Sequence, residues 1–352
     1  MAPASASIAA PVGARPRVLI VDDSAVARAV LTRMAEGAAC TVAHAATNIA
    51  GALQFLACES VDVILLDLEM PGIHGLAGLP DILAAGAGAR VLVVSSAAAD
   101  GAAATVEALA LGAADTLVKP GNCLSSGSFA AALAEKLVRL GERSEPAIRT
   151  LAAPSDTLHE VDAVAIGAST GGIHAINTLL TALPPAFRRP IVITQHLPAA
   201  FVPFFAEQLG AATGRSCVLA TDGMLLRDDM IAVAPGDAHL MATRMAGGVI
   251  GIRLSRAPVA NGNMPSVDPM FESFAACFGK RLLAVVLSGM GRDGLAGARR
   301  VRAAGGTVVV QDQASSVVWG MPGAVAAEGL AQAVLPPEAI GSFIIDGARV
   351  FA

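Results

Sequence analysis

The chain has 352 residues, 54% hydrophobic and 15% charged, with a formal net charge of −5. That composition excludes a disordered chain, and the acidic balance argues against nucleic acid as the main partner, which would favour a basic face. No apolar run reaches the ~18 residues that span a bilayer, so no membrane insertion is expected, and the length suits two domains that each bury a core.

The first residues, 1–15, read MAPASASIAAPVGAR and lack a charged stretch followed by a continuous apolar core. They are expected to be a loose tail and not a signal peptide. Four short β-branched runs follow: RVLIVDD, VDVILLDLEMPG, ARVLVVSS and ADTLVKP. Each ends in polar or turn-forming residues, as buried parallel strands do. Between them, SAVARAVLTRMAEG has the helical spacing Val26, Val30, Leu31 and Met34, with Ser24 as its cap and Gly37 as its end. Repeated strand–helix units predict a doubly wound parallel sheet over residues 16–138. Residues 139–160 carry charge, Pro and Ser and are expected to form a linker. From 161 to 350 a second series begins with VDAVAIGAS and continues through PIVITQH, MIAVAPGD, LLAVVLSGMG and GTVVVQD. This predicts a second doubly wound, mostly parallel α/β domain.

In open parallel sheets, function gathers at the carboxyl ends of the strands. In the first series those ends carry Asp22 and Asp23, then Asp67, then Ser95, then Lys119 before Pro120. Three carboxylates meeting there repel unless a cation joins them, and Mg²⁺ takes one or two carboxylates plus phosphate oxygens. Singly, Asp23 reads equally well as a helix cap, Asp67 as a turn residue and Lys119 as a solvated charge. The ordered set resembles a response-regulator receiver domain, a five-stranded parallel, flavodoxin-like sheet. The resemblance implies phosphorylation at Asp67, Mg²⁺ held by Asp22, Asp23 and Asp67, and Ser95 and Lys119 as switch contacts. Two departures stand out. Thr116 occupies the place where many receivers have an aromatic, which leaves the usual relay of the signal open, and His74 stands where Asp is common.

In the second series, Gly167-Ala168-Ser169-Thr170-Gly171 fits a nucleophile on a sharp strand-to-helix turn. The same glycines suit a phosphate cradle, although G-x-G-x-x-G is not matched. A serine needs a base, and this half of the chain has His174, His196 and His239. His174 lies within a helix, His239 in a loop that sequence does not exclude, and His196 closes the next strand, so His196 is the best placed. Asp293, in MGRDG after LLAVVLSG, is the candidate orienting carboxylate; alone it reads as a turn aspartate or cap. The order Ser, His, Asp excludes the usual α/β-hydrolase arrangement, because no histidine follows His239.

GASTGG, ITQH, APGD, PSVD and SGMGRDG together resemble the C-terminal domain of chemotaxis protein-glutamate methylesterases, and with the receiver they match the CheB family architecture. The resemblance implies Ser169 as nucleophile, His196 as base and Asp293 as orienting carboxylate, with the Met290 region supplying an oxyanion donor and Thr170 lining the site. It implies a phosphorylation-activated enzyme that hydrolyses glutamate γ-methyl esters on methyl-accepting chemoreceptors, releases methanol and deamidates receptor glutamines. It further implies that the esterase reaction takes no cofactor and that a chemotaxis histidine kinase phosphorylates the receiver. Five scattered cysteines at 40, 58, 123, 217 and 277 read as buried thiols of a reducing cytoplasm. The competing readings are a receiver-fused dinucleotide-dependent oxidoreductase, tested by NAD(P) titration, and a non-catalytic binding module, tested by an ester hydrolysis assay.

Overall fold

In a computed structural model of the protein, residues 15–70, 75–95, 99–119, 127–142 and 160–349 are described. His74 and Cys123, and most of the expected tail and linker, lie outside them. The first elements are β1 (Arg17–Val21), α1 (Ala25–Gly37), β2 (Thr41–Ala46), α2 (Ile49–Leu56) and β3 (Val63–Asp67). They continue as α3 (Gly75–Ala85), β4 (Arg90–Ser95), α4 (Ala99–Leu111), β5 (Asp115–Val118) and α5 (Gly127–Gly141). The five strands form one parallel sheet in the order β2-β1-β3-β4-β5, the flavodoxin-like arrangement. All four apolar runs read from the sequence are strands here. The fifth strand, β2, is exposed or only half-buried at five of its six positions, so it lacks the apolar run that marks the others.

One local expectation is corrected. Helix α1 buries Ala27, Leu31 and Ala35, an i, i+4, i+8 stripe, whereas Val26 is 72% exposed. The buried stripe is thus displaced by one residue from the Val26, Val30 and Met34 positions and keeps Leu31. Ser24 does cap α1, its hydroxyl accepting from the Ala27 N–H, and Gly37 is the last helical residue, followed by a left-handed turn at Ala39 (φ 59°).

The second sheet is built from β6 (Ala163–Ala168), β7 (Ile191–Gln195), β8 (Ser216–Leu219), β9 (Met230–Val233), β12 (Leu282–Val286), β13 (Thr307–Gln311) and β14 (Ala333–Leu335). Its order is β14-β13-β12-β6-β7-β9-β8, and every pair is parallel. Helices α6 (Gly172–Thr181), α7 (Val202–Thr213), α8 (Val267–Phe278), α9 (Leu295–Ala303), α10 (Met321–Ala327) and α11 (Pro337–Arg349) accompany it. An antiparallel hairpin, β10 (His239–Arg244) with β11 (Ile250–Ser255), contributes Leu240 and Ile252 to the core that holds Phe271 and Phe274 of α8. Chain order reverses at β6, with β7 on one side and β12 on the other, and that reversal opens a crevice at the carboxyl ends of the strands.

By contact the chain divides into two compact units, Met1–Leu92 with Pro120–Arg143, and Val93–Lys119 with Ser144–Ala352. Among the described residues no helix is long and apolar enough to cross a membrane. The four described cysteines are free, but only Cys40 is buried, and Cys58 lies exposed in the turn after α2. The expectation of uniformly buried thiols is therefore corrected. Burial pushes the half-buried Cys217 thiol up to about 12, which makes it unreactive at neutral pH.

Close packing between β6 and α8 makes Gly167 obligatory. A Cβ there would lie 2.4 Å from Val267 Cγ1 and 2.7 Å from its Cγ2, atoms of a branched side chain with no room to move. Gly167→Ala is expected to lower stability by about 1–3 kcal/mol. Gly37→Ala, where nothing lies within 4 Å, is expected to raise it by about 0.5–1 kcal/mol. Thermal melts of both variants check this, and equal effects would contradict it.

Candidate active site

The crevice beside β6 collects the second half of the candidate residues. Ser169 follows the last residue of β6, and the register Ala168↔Gln195 brings His196 alongside it at the end of β7. Asp293 stands beyond β12, whose Val286 pairs with Gly167. The turn that carries Ser169 is held on several sides. The Ser169 N–H donates to Ser288 O (3.0 Å), and Gln195 Nε2 donates to Ser169 O (2.8 Å). The Ser288 hydroxyl donates to Thr170 O (2.7 Å). Gly171 adopts φ 75°, a conformation open to glycine and strained for other residues.

His196 and Asp293 meet directly, Nε2 to Oδ2 at 2.8 Å, with the ring 18% exposed and the carboxylate fully buried. Asp293 accepts six hydrogen bonds. Val267 N joins His196 on Oδ2, and Asn261 Nδ2, the Ser266 hydroxyl, Asp268 N and Gly294 N share Oδ1. Burial by itself pushes the Asp293 carboxyl up. The His196 hydrogen bond and charge, with the donors Val267 N–H and Ser266 O–H, outweigh burial and hold it down at about 2. An ionised carboxylate only accepts, so His196 Nε2 carries the proton and Nδ1 holds the lone pair. Chymotrypsin-type triads have the reverse arrangement, with the carboxylate on Nδ1.

Among the described residues no hydrogen bond joins the Ser169 hydroxyl to His196, and such bonds are often long before substrate enters. The backbone N–H groups of Thr170 and Met290 also have no acceptor among the described residues, which leaves both able to bind a developing oxyanion. Within the second unit, the Thr170 hydroxyl donates to Asp115 Oδ2 at 2.6 Å.

The other two histidines are occupied. His239 is buried, with Nδ1 accepting from Ser266 N (2.9 Å) and Nε2 on Ala257 O (2.9 Å), so it has no nitrogen left for Ser169. His174 is on α6, as its position in the sequence suggested, with Nδ1 on Ala110 O. Asn261, Ser266, Asp268, Gln195 and Ser288 were given no role from sequence, although PSVD and ITQH contain three of them.

In the first sheet, Asp22 and Asp67 are buried, Asp23 is exposed, and one oxygen from each lies within 4.8 Å of the others. Ser24 N and Glu69 N donate to Asp22 Oδ1 and Asp67 Oδ1 and orient these two carboxylates. Such an all-oxygen set at one strand-end cluster fits a hard divalent cation. Ser95 is buried and shares a hydrogen bond with the Thr105 hydroxyl (2.6 Å), while Lys119 N donates to Ser95 O (2.8 Å). Thr116 is buried in β5 and its hydroxyl has no partner among the described residues.

Residues 164–344 match the family model for CheB methylesterase, and residues 18–123 match that for the response regulator receiver domain. The chain is 42% identical over 346 residues to protein-glutamate methylesterase/protein-glutamine glutaminase 2 of Caulobacter vibrioides, covering 96% of this chain and 100% of that protein. It is 39% identical over 363 residues to protein-glutamate methylesterase/protein-glutamine glutaminase 1 of Paramagnetospirillum magneticum, covering 94% and 95%. The crystal structure of the Thermotoga maritima CheB methylesterase catalytic domain superposes with a TM-score of 0.51 at 35% identity, covering 53% of this chain and 98% of that one.

Proposed function

The chain belongs to the CheB methylesterase family, with a response regulator receiver domain ahead of the esterase domain, and we propose that Ser169, His196 and Asp293 carry out its ester hydrolysis. The protein is a chemotaxis protein-glutamate methylesterase and a serine hydrolase. The observation that carries the assignment is His196 Nε2 on a saturated, ionised Asp293, which leaves Nδ1 as the basic nitrogen of a histidine at the end of the strand paired with the one that leads into Ser169.

The substrate is the γ-methyl ester of a glutamate on the cytoplasmic helices of methyl-accepting chemoreceptors. Ser169 Oγ attacks the ester carbonyl while its proton passes to His196 Nδ1. The Thr170 and Met290 N–H groups receive the tetrahedral oxyanion. Its collapse breaks the bond to the methoxy group, which takes the imidazolium proton and leaves as methanol. Water, deprotonated by the same nitrogen, then cleaves the acyl-enzyme and returns Ser169 and a glutamate carboxylate. With a glutamine side chain the same cycle releases ammonia.

Control acts through the receiver, in the cytoplasm. Asp67 takes a phosphoryl group from a chemotaxis histidine kinase, Lys119 neutralises the phosphoryl oxygens and the Ser95 hydroxyl hydrogen-bonds one of them. Asp22, Asp23 and Asp67 would hold Mg²⁺, which would screen the charge that gathers as the phosphoryl group approaches. The test is methanol release from methylated receptor membranes, with and without an acyl phosphate and Mg²⁺. Wild type should be activated by the phosphodonor, and Asp67→Asn should retain basal release without activation. Activation of Asp67→Asn would remove Asp67 as the switch.

A further inference from the structure

Two carboxylates, not one, lie behind His196. Asp268, at the start of α8, sends its N–H to Asp293 Oδ1 at 3.1 Å and accepts Gly297 N on its own Oδ1 at 2.8 Å. Burial first, then the charges of Asp293 and Glu272, push the Asp268 carboxyl up to about 6, against the opposing Gly297 N–H. Near neutral pH two negative charges therefore share one partly buried corner, and their repulsion would turn either side chain away.

Asn261 stands between them. Its Nδ2 lies 2.9 Å from Asp293 Oδ1, 3.2 Å from Asp268 Oδ2 and 3.1 Å from the Ser266 hydroxyl oxygen. Its Oδ1 accepts Asn263 N at 3.0 Å, which fixes the amide with the NH₂ toward the carboxylates. The loop that bears it is pinned at both ends by His239, through Ala257 O and Ser266 N, and Arg256 pairs with Asp237 at its start. Asn261 itself is exposed, so no core packing accounts for this set of contacts.

We propose that Asn261 is a positioning residue of the esterase site, its carboxamide bridging Asp268 and Asp293 so that Asp293 stays aimed at His196. This rests on the assignment of Ser169, His196 and Asp293 as the reacting set. A neutral double donor suits the place: it satisfies both carboxylates and adds no charge to the pair. Lysine there would neutralise Asp293 and weaken its hold on the imidazolium, and aspartate would add a third repelling group.

The test uses the full-length enzyme, methylated receptor membranes and a phosphodonor. Asn261→Ala should lower kcat by on the order of 10- to 100-fold, as small misplacements of a reacting group do, with KM within about twofold. Asn261→Asp should lose more activity at pH 8 than at pH 6, where Asp268 is partly protonated. Asp268→Asn should rescue Asn261→Ala, because an amide at 268 removes one charge and can itself donate to Asp293. A purely structural role gives neither the rescue nor the pH dependence. Should Asn261→Ala melt early, the isosteric Asn261→Asp carries the test. Wild-type kcat in both Asn261 variants, or a double variant no faster than Asn261→Ala, overturns the proposal. Ser169→Ala is assayed beside them. If it keeps activity, the assignment of the reacting set fails; if it is dead while the Asn261 variants behave as wild type, the positioning role alone fails.

Discussion

Ser169→Ala is expected to lower methanol release by about 10⁴- to 10⁶-fold, the range seen when a serine nucleophile is removed from a triad. The fold should survive the change, since alanine keeps the Cβ and the turn is held by backbone groups of Ser169, which alanine also has. Ser288 O and Gln195 Nε2 bind the Ser169 N–H and C=O, and Gly289 admits Ser169 because a Cβ at 289 would lie 2.9 Å from Ser169 Cβ. Residual catalysis would come from the Thr170 and Met290 N–H groups acting on a water-attacked carbonyl. Release measured with a phosphodonor, alongside matched melting curves, decides the matter. A rate within tenfold of wild type in a folded protein rules out the serine mechanism.

Asp293→Asn should be nearly as damaging, by about 10⁴-fold in kcat, and unlike Ser169→Ala it should also cost stability. The carboxylate accepts six donors from both sides. An amide can accept on one oxygen only, so its NH₂ must face either His196 and Val267 N, or Asn261, Ser266, Asp268 N and Gly294 N. In the first orientation the imidazole loses the bond that fixes Nδ1 as its basic nitrogen. In the second, donors that include the buried Ser266 hydroxyl and Gly294 N–H face a donor, and each buried one left unpaired costs about 1–3 kcal/mol. The pH dependence has a definite sign. Asp293 sits at about 2 in the folded chain against 3.8 unfolded, so its contribution is present above pH 4 and fades as pH falls toward 2. The stability gap between wild type and Asp293→Asn should therefore narrow over that window. Asp268, raised to about 6, acts in the opposite sense and withdraws stability as pH rises from 4 through 6. Chemical denaturation across pH 2.5–7 separates the two, and a gap that widened on acidification would contradict the assignment.

Legibility followed burial. Central strands such as β3 and β12, buried along their whole length, announced themselves as β-branched runs, and their ends located Asp67, Ser169, His196 and Asp293. Strands β2, β8 and β14 are edge strands with incomplete burial, so they leave little apolar signature. The β10–β11 hairpin escaped the reading because it belongs to neither sheet. At Val26, hydrophobic spacing alone does not separate a stripe led by valine from the adjacent Ala27, Leu31 and Ala35 stripe that is buried.

Sequence by itself determined the class of both sheets, the strand-end carboxylates, the glycine turn and the order Ser169, His196, Asp293. These follow from local chemistry: continuous apolar, β-branched runs of strands buried on both faces, a turn that needs glycine, and residue types required by acyl and phosphoryl transfer. Only the tertiary structure decided which imidazole nitrogen meets Asp293, that His239 is spent on Ala257 O and Ser266 N, and that Asn261 and Asp268 crowd against Asp293. Hydrogen-bond direction and the balance of buried charge depend on distances between residues 18 to 97 positions apart, and no local pattern along the chain encodes them.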